Sequence, residues 1–175
     1  MCGGTDTPHS VPKTYTGGQK MENTAERITQ LENGVDKYEN ALKGASSDVL
    51  TRRPDEENWA PVEIICHIRD VEEIYLDRYK TVLSLTDFKF KLAEADRWAE
   101  ERQYIRNDAF KALSAFRSRR KDTVEFLKTL TPEQLACTGI HPKLGRITLS
   151  DLVKALTGHD ANHLDQLKRA LVGNA

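Results

Sequence analysis

A chain of 175 residues, 30% charged and 38% hydrophobic, suits one domain around one sizeable core. Its formal net charge of −1 gives no electrostatic reason to expect a nucleic-acid or membrane partner, and no apolar run nears the roughly 20 residues a spanning helix needs. Cys2, Cys66 and Cys137 are too few and too scattered for a disulfide framework, and the N-terminus lacks the apolar core of a secretory signal, so a cytoplasmic protein is expected.

Residues 1–20 hold four of the ten glycines and two of the six prolines and show no apolar period, so they read as a disordered tail. Met21 follows directly, and residues 21–175 read as one domain. A first helix is expected from about Glu22 to Lys43, with Ile28, Leu31, Val35, Tyr38 and Leu42 at spacings of three and four. The connection after it has room for one short helical turn. A second helix opens at Pro61, which suits a first-turn position because its missing N–H would be unpaired there anyway. Its inner stripe to about Leu85 is Ile64, Ile68, Val71, Tyr75 and Val82.

A mixed connection leads to a third helix from about Arg106 to Leu130, with Phe110, Leu113, Phe116, Val124 and Leu127 apolar. "TPEQLACTGIHPKLGRI" reads as a short turn and then a loop, marked by Gly139, Pro142 and Gly145. The fourth helix begins at "TLSD", where Thr148 and Asp151 form a capping box with Asp replacing Glu, and stops at Gly173. Four amphipathic helices with little strand character make an all-α four-helix bundle.

The fourth helix carries the chemistry. Its stripe runs Leu149, Leu152, Val153, Leu156, then Leu164, Leu167 and Leu171; continuing by three and four from Leu156 lands on His159 and His163. Side chains four apart stack on one face, one turn apart, so the two imidazoles can grip one ion. His67 falls on the inner stripe of the second helix, between Ile64 and Val71. A single inward histidine is more often a core residue bonded to a carbonyl or an acid. Three in one core are costly unless they share a purpose, because each unmet buried group costs about 1–3 kcal/mol. A shared divalent ion would satisfy three nitrogens at once.

"NWAPVEIICHIRDVEEIYLDRY", "DRWAEERQYIRNDAFKALSAFRSRR" and "IHPKLGRITLSDLVKALTGHDANHLDQL" resemble, in that order, three segments of the DinB-like (damage-inducible) bundle proteins, and the likeness spans about residues 22–172. The resemblance implies an up-down-down-up four-helix bundle, often homodimeric. It also implies a nickel, zinc or iron ion held by His67, His159 and His163. Activities in the family include thiol-dependent transfer and isomerisation with low-molecular-weight thiols, and many members are described only as metal-dependent hydrolases.

The expected function is therefore a metal-dependent hydrolase or thiol S-transferase acting on a small-molecule substrate. A stress-related protein that binds a metal or small molecule without catalysis is the alternative, and a purely structural metal is a third possibility. A di-iron carboxylate centre is disfavoured, because no glutamate lies three residues before any of the three histidines. Asp70 and Asp160 are candidates to orient the ligands, or are exposed helix acids. Gln166 is a candidate to line the pocket, Arg119 and Arg120 to anchor an anion or to form a solvated face, and His141 to sit near the site mouth. Cys66, next to His67, points about 100° away and is read as a small packed hydrophobe, and His9 belongs to the tail.

Overall fold

A computed structural model describes residues 17–85, 87–91 and 94–175. Four long helices form the frame: α1 (Gly17–Leu42), α3 (Pro61–Ser84), α5 (Ala109–Lys128) and α7 (Leu149–Leu171). Between them lie the short α2 (Ser47–Thr51), α4 (Ala95–Glu101), a 3-10 turn at Tyr104–Arg106, α6 (Pro132–Leu135), and the strands β1 (Thr138–His141) and β2 (Gly145–Thr148). Of the expected tail, residues 1–16 lie outside the described residues. The first helix opens at Gly17, five residues before the expected Glu22. Propagation needs no new nucleus and adds a hydrogen bond per residue, which offsets part of the roughly 1 kcal/mol that a glycine costs in a helix relative to alanine.

Helix directions follow from which residues meet. Along α1 and α5, Asp36 pairs with Arg117 and the earlier Glu32 with the later Lys128, so these two helices run antiparallel. Along α3 and α5, Asp70 meets Arg119 and the later Lys80 lies over the later Phe126 ring, so they run parallel. Ile28 and Leu31 share a cluster with Leu149–Leu156, while Leu42 shares one with Leu167, making α1 and α7 parallel. The bundle is up-down-down-up. Each of α1 and α7 packs on a helix of opposite direction, and α3 packs on both α5 and α7.

The parallel α3–α5 pair forces a crossover back along the bundle, and α4 with the 3-10 turn is that crossover. Together with α2 it packs over α3. The consequence is burial all round: every residue from Pro61 to Ile68 is buried, and so are Asp70 and Glu72. A helix that periodicity treats as half wet is therefore nearly dry over its first three turns.

The apolar positions expected in α1 are all buried, as are Ile64, Ile68, Val71 and Val82 in α3. Two details differ. Tyr75 is only partly buried while Tyr79 is fully enclosed, and Phe110 is 52% exposed because it sits in the first turn of α5, at the margin of the bundle. Asp108 accepts hydrogen bonds from the Phe110 and Lys111 N–H groups, which fixes the α5 start at Ala109, three residues later than the expected Arg106. The core falls into two apolar clusters, one containing Ile64, Phe116 and Leu167, the other Val71, Leu127 and Leu152. Each fully buried aliphatic side chain contributes about 1.5–3 kcal/mol.

The loop expected after α6 is instead an antiparallel hairpin, with Thr138 opposite Thr148 and His141 opposite Gly145. Its two strands are four residues each, too short for a period to register. They are held from outside, because Phe90 N–H donates to Ile140 O and Ile140 N–H to Phe88 O, docking the crossover on the hairpin edge. Gly139 is required there, since a Cβ would lie 2.6 Å from the Phe90 ring. Thr148 then caps α7, its side chain accepting from Asp151 N–H while Asp151 accepts from Thr148 N–H.

Candidate metal centre

His67 on α3 and His159 and His163 on α7 converge in the bundle interior, where the two helices run antiparallel. One ring nitrogen from each lies within 4.8 Å of the others. The His67 and His159 Nε2 atoms are 3.0 Å apart. A tetrahedral ion with metal–nitrogen bonds of about 2.0–2.1 Å spaces its donors roughly 3.4 Å apart, so these rings stand close to ligand geometry. His163 Nδ1 lies 2.8 Å from Gln166 Oε1. With its proton on Nδ1 donated to that oxygen, His163 keeps the Nε2 lone pair free. Gln166 is thus a partner of the cluster, one helical turn from the residue it orients.

Burial keeps all three rings neutral. It pushes the His67 imidazole down to about 3, with the neighbouring His163 adding to the effect. His159 is pushed to about 2 by burial, then by His163, His67 and Arg120. His163 is also lowered, chiefly by burial, against the opposing pull of Gln166 and Asp160. Neutral imidazoles with free lone pairs are the form that binds a cation. His67 Nδ1 and His159 Nδ1 are buried and have no hydrogen-bond partner. Trp59 closes one side, its ring 5.0 Å from His67 and stacked near-parallel to His163 at 6.5 Å. It stands just before the α3 N-cap, Ala60, so the start of α3 places it.

The two aspartates expected beside the ligands are buried, but among the described residues neither carboxylate bonds to an imidazole. Asp70 takes both Nε and Nη2 of Arg69, Nη1 of Arg102, Nη1 of Arg119 and the Tyr104 hydroxyl. Burial alone would raise its pKa, but the hydrogen bonds from Arg69, Tyr104 and Arg102 outweigh this and hold it well below the usual carboxylate range. Arg102 and Tyr104 come from the crossover, so Asp70 pins that segment to α3. Arg119 belongs to this cluster and also pairs with Glu73.

Asp160 is bound by Arg120, which is 2% exposed rather than part of a solvated basic face. The guanidinium donates Nε and Nη2 to Glu72 at 2.9 and 2.7 Å, Nη1 and Nη2 to Asp160 at 2.6 and 3.1 Å, and Nη1 to Leu31 O at 3.1 Å. Tyr38 completes the set by donating to the Asp160 carbonyl oxygen at 2.7 Å. One group from each long helix therefore meets one turn or less from His159.

This network escaped the sequence reading, although a signal was present. Phe116, Arg120, Val124 and Leu127 follow the inward stripe of α5, and Glu72 stands four after Ile68 on the inward stripe of α3. A charge on each of two facing stripes is the mark of a buried pair. Glu63 is neutralised likewise, accepting two bonds from Arg53 and one from Ala60 N–H.

Two other residues singled out in the sequence take no part in the three-histidine cluster. His141 ends β1 and its Nδ1 accepts from Lys143 and Leu144 N–H, so it shapes the hairpin turn. The hairpin leads into the α7 N-terminus, ten residues or about 15 Å before His159. Cys66 is fully buried and its thiol is pushed up to about 11 by burial, consistent with a packed, inert side chain. His9 lies outside the described residues.

Comparison with known proteins agrees with this geometry. A protein of Oceanobacillus iheyensis named "Putative metal-dependent hydrolase OB0413" is 23% identical over 167 residues, covering 94% of this chain and 92% of the relative. The fold matches YfiT from Bacillus subtilis, described as "a probable metal-dependent hydrolase with an unusual four-helix bundle topology", with a TM-score of 0.79 at 18% identity over 93% of this chain and 91% of the other. Residues 30–167 match the DinB superfamily, a span that runs from the middle of α1 through all three histidines to the last turns of α7, and the chain belongs to that superfamily.

Proposed function

We propose that this chain is a metal-dependent hydrolase in which His67, His159 and His163 hold one divalent transition ion, zinc or nickel by preference and iron as a third choice. The observation that carries the reading is the convergence of three buried neutral imidazoles, one nitrogen of each within 4.8 Å of the others. When bound, such an ion supplies Lewis acidity and lowers the pKa of a water or thiol placed on it toward neutrality. The chain's own residues do the rest. Gln166 holds the His163 tautomer, Trp59 covers one side of the cluster, and three histidine ligands would leave coordination positions open for a small-molecule substrate.

Thiol-dependent transfer is the second reading, and one observation favours it. Asp70, Asp160, Glu63 and Glu72, the buried acids nearest the histidines in sequence, are all held by arginines. A water needs more help to lose its proton than a thiol, whose ordinary pKa is about 8.5. The two readings separate in one assay. The metal-loaded protein is offered ester, amide and electrophilic-carbon substrates with and without bacillithiol, mycothiol or glutathione. Turnover independent of thiol and absent in His159→Ala supports hydrolysis, and thiol-dependent turnover supports transfer. No metal-dependent rate with any of them would leave a non-catalytic metal-binding protein as the better account.

A further inference from the structure

We infer that Arg120, with Glu72 and Tyr38, is a positioning device for the metal centre: it sets the depth and rotation of α7 at His159 by holding the adjacent Asp160. The inference rests on the reading of the three histidines as ligands. The three imidazoles have little to hold them in place by themselves. Among the described residues, His67 Nδ1 and His159 Nδ1 touch no partner, and these two rings hydrogen-bond only to each other, Nε2 to Nε2 at 3.0 Å; His163 alone of the three is hydrogen-bonded to a residue outside the cluster, Gln166. Ligating histidines ordinarily have their second nitrogen fixed by an acceptor, so His159 lacks the usual means of orientation.

What it has instead is a neighbour clamped from two helices. Arg120 of α5 grips the Asp160 carboxylate with two nitrogens, and Tyr38 of α1 holds the Asp160 carbonyl. Arg120 is itself fixed by Glu72 of α3 through two parallel bonds and by the Leu31 carbonyl of α1. A planar guanidinium held by five bonds has one pose, which a lysine cannot reproduce. Glu72 lies five residues after His67 on α3, so the same guanidinium ties the helix carrying His67 to the helix carrying His159.

Gly34 places α1 directly against the device, since a Cβ there would meet Asp160 Oδ2 at 3.5 Å and Arg120 Nη1 at 3.6 Å, ordinary contact distances. The apolar faces of α3 and α7 are chains of similar aliphatic side chains and could repack with a small slide. The ion network allows one register, and that register brings the His67 and His159 nitrogens to 3.0 Å.

The test uses the full chain and Co2+ alone, with affinity read by competition against a chelator and ligand geometry by the visible d–d spectrum at saturation. Arg120→Lys and Glu72→Gln should weaken Co2+ binding about 10-fold or more and alter the spectrum. Tyr38→Phe, which removes one hydroxyl and serves should the others fail to fold, should shift both in the same direction by less. Leu127→Ala, a cavity in the hairpin-side core, is the destabilised control: its melting temperature should drop while Co2+ affinity and spectrum stay as in the unaltered protein. Wild-type affinity and spectrum in the network variants would overturn the inference, as would an equal loss in Leu127→Ala. Absence of Co2+ uptake by the unaltered protein would overturn the metal reading itself, and the inference with it.

Discussion

Two polar clusters lie side by side in this bundle, and folding treats them in opposite ways. Around Arg120 every guanidinium nitrogen has an acceptor, and Glu72 and Asp160 use both oxygens on it. Around His67, His159 and His163 the rings face one another, and two buried Nδ1 atoms have no partner. A closed network specifies the fold, whereas neutral imidazoles whose ring nitrogens converge on one another, with no acid among the described residues bonded to them, leave a place where a cation can bind. The contrast separates scaffold from site without reference to any relative.

Breaking the closed cluster should have the largest effect. Arg120→Met leaves two buried carboxylates unpaired and should cost about 3–5 kcal/mol, read by urea unfolding of the metal-free protein. A cost below 1 kcal/mol would mean that the carboxylates find other partners.

Acid should act first on the open cluster. Its folded imidazoles resist protonation, His67 down to about 3 and His159 to about 2, whereas in the unfolded chain they titrate near 6.5. The unfolded state therefore binds more protons below that pH. Stability is complete above about 6.5 and is lost as pH falls, by at most about 1.4 kcal/mol per pH unit for each histidine. Asp70, held low by its arginines, loses its contribution only below about pH 4, so the two windows are distinct. Unfolding curves of metal-free protein that superimpose from pH 7 to pH 5 would remove the distinction.

Replacing a ring of the open cluster should separate binding from stability. His159→Leu should abolish metal uptake yet leave the metal-free protein more stable by about 1–3 kcal/mol, since an unpaired buried group is exchanged for an apolar one. A lower melting temperature in metal-free buffer would show the ring to be structural. The smallest effect belongs to a residue outside both clusters. Thr148→Ala removes the α7 cap, should cost about 1 kcal/mol, and should leave metal content per chain unchanged.

The sequence by itself determined the helices, their inward stripes and the α7 cap, because period and capping chemistry act over three to four residues. It also determined the three candidate ligands, since His67, His159 and His163 replace aliphatic residues on stripes that must face a core. What the tertiary structure decided were contacts between distant residues. Period marks the face of a helix that packs, but it does not say whether the opposite face stays wet. In α3 the crossover and α2 cover that face, so Asp70, weighed from sequence as a ligand-orienting or an exposed acid, and Glu63 are buried groups held by arginines. Asp160 likewise reads as an ordinary helix acid until Arg120, forty residues away, and Tyr38, 122 residues away, are brought to it. The hairpin at 138–148 depends on an edge that only the folded crossover offers, and Phe110 is apolar yet exposed because the bundle ends there. Local chemistry chose the elements, while burial and charge pairing across the bundle chose which polar residues became scaffold and which were left open as a site.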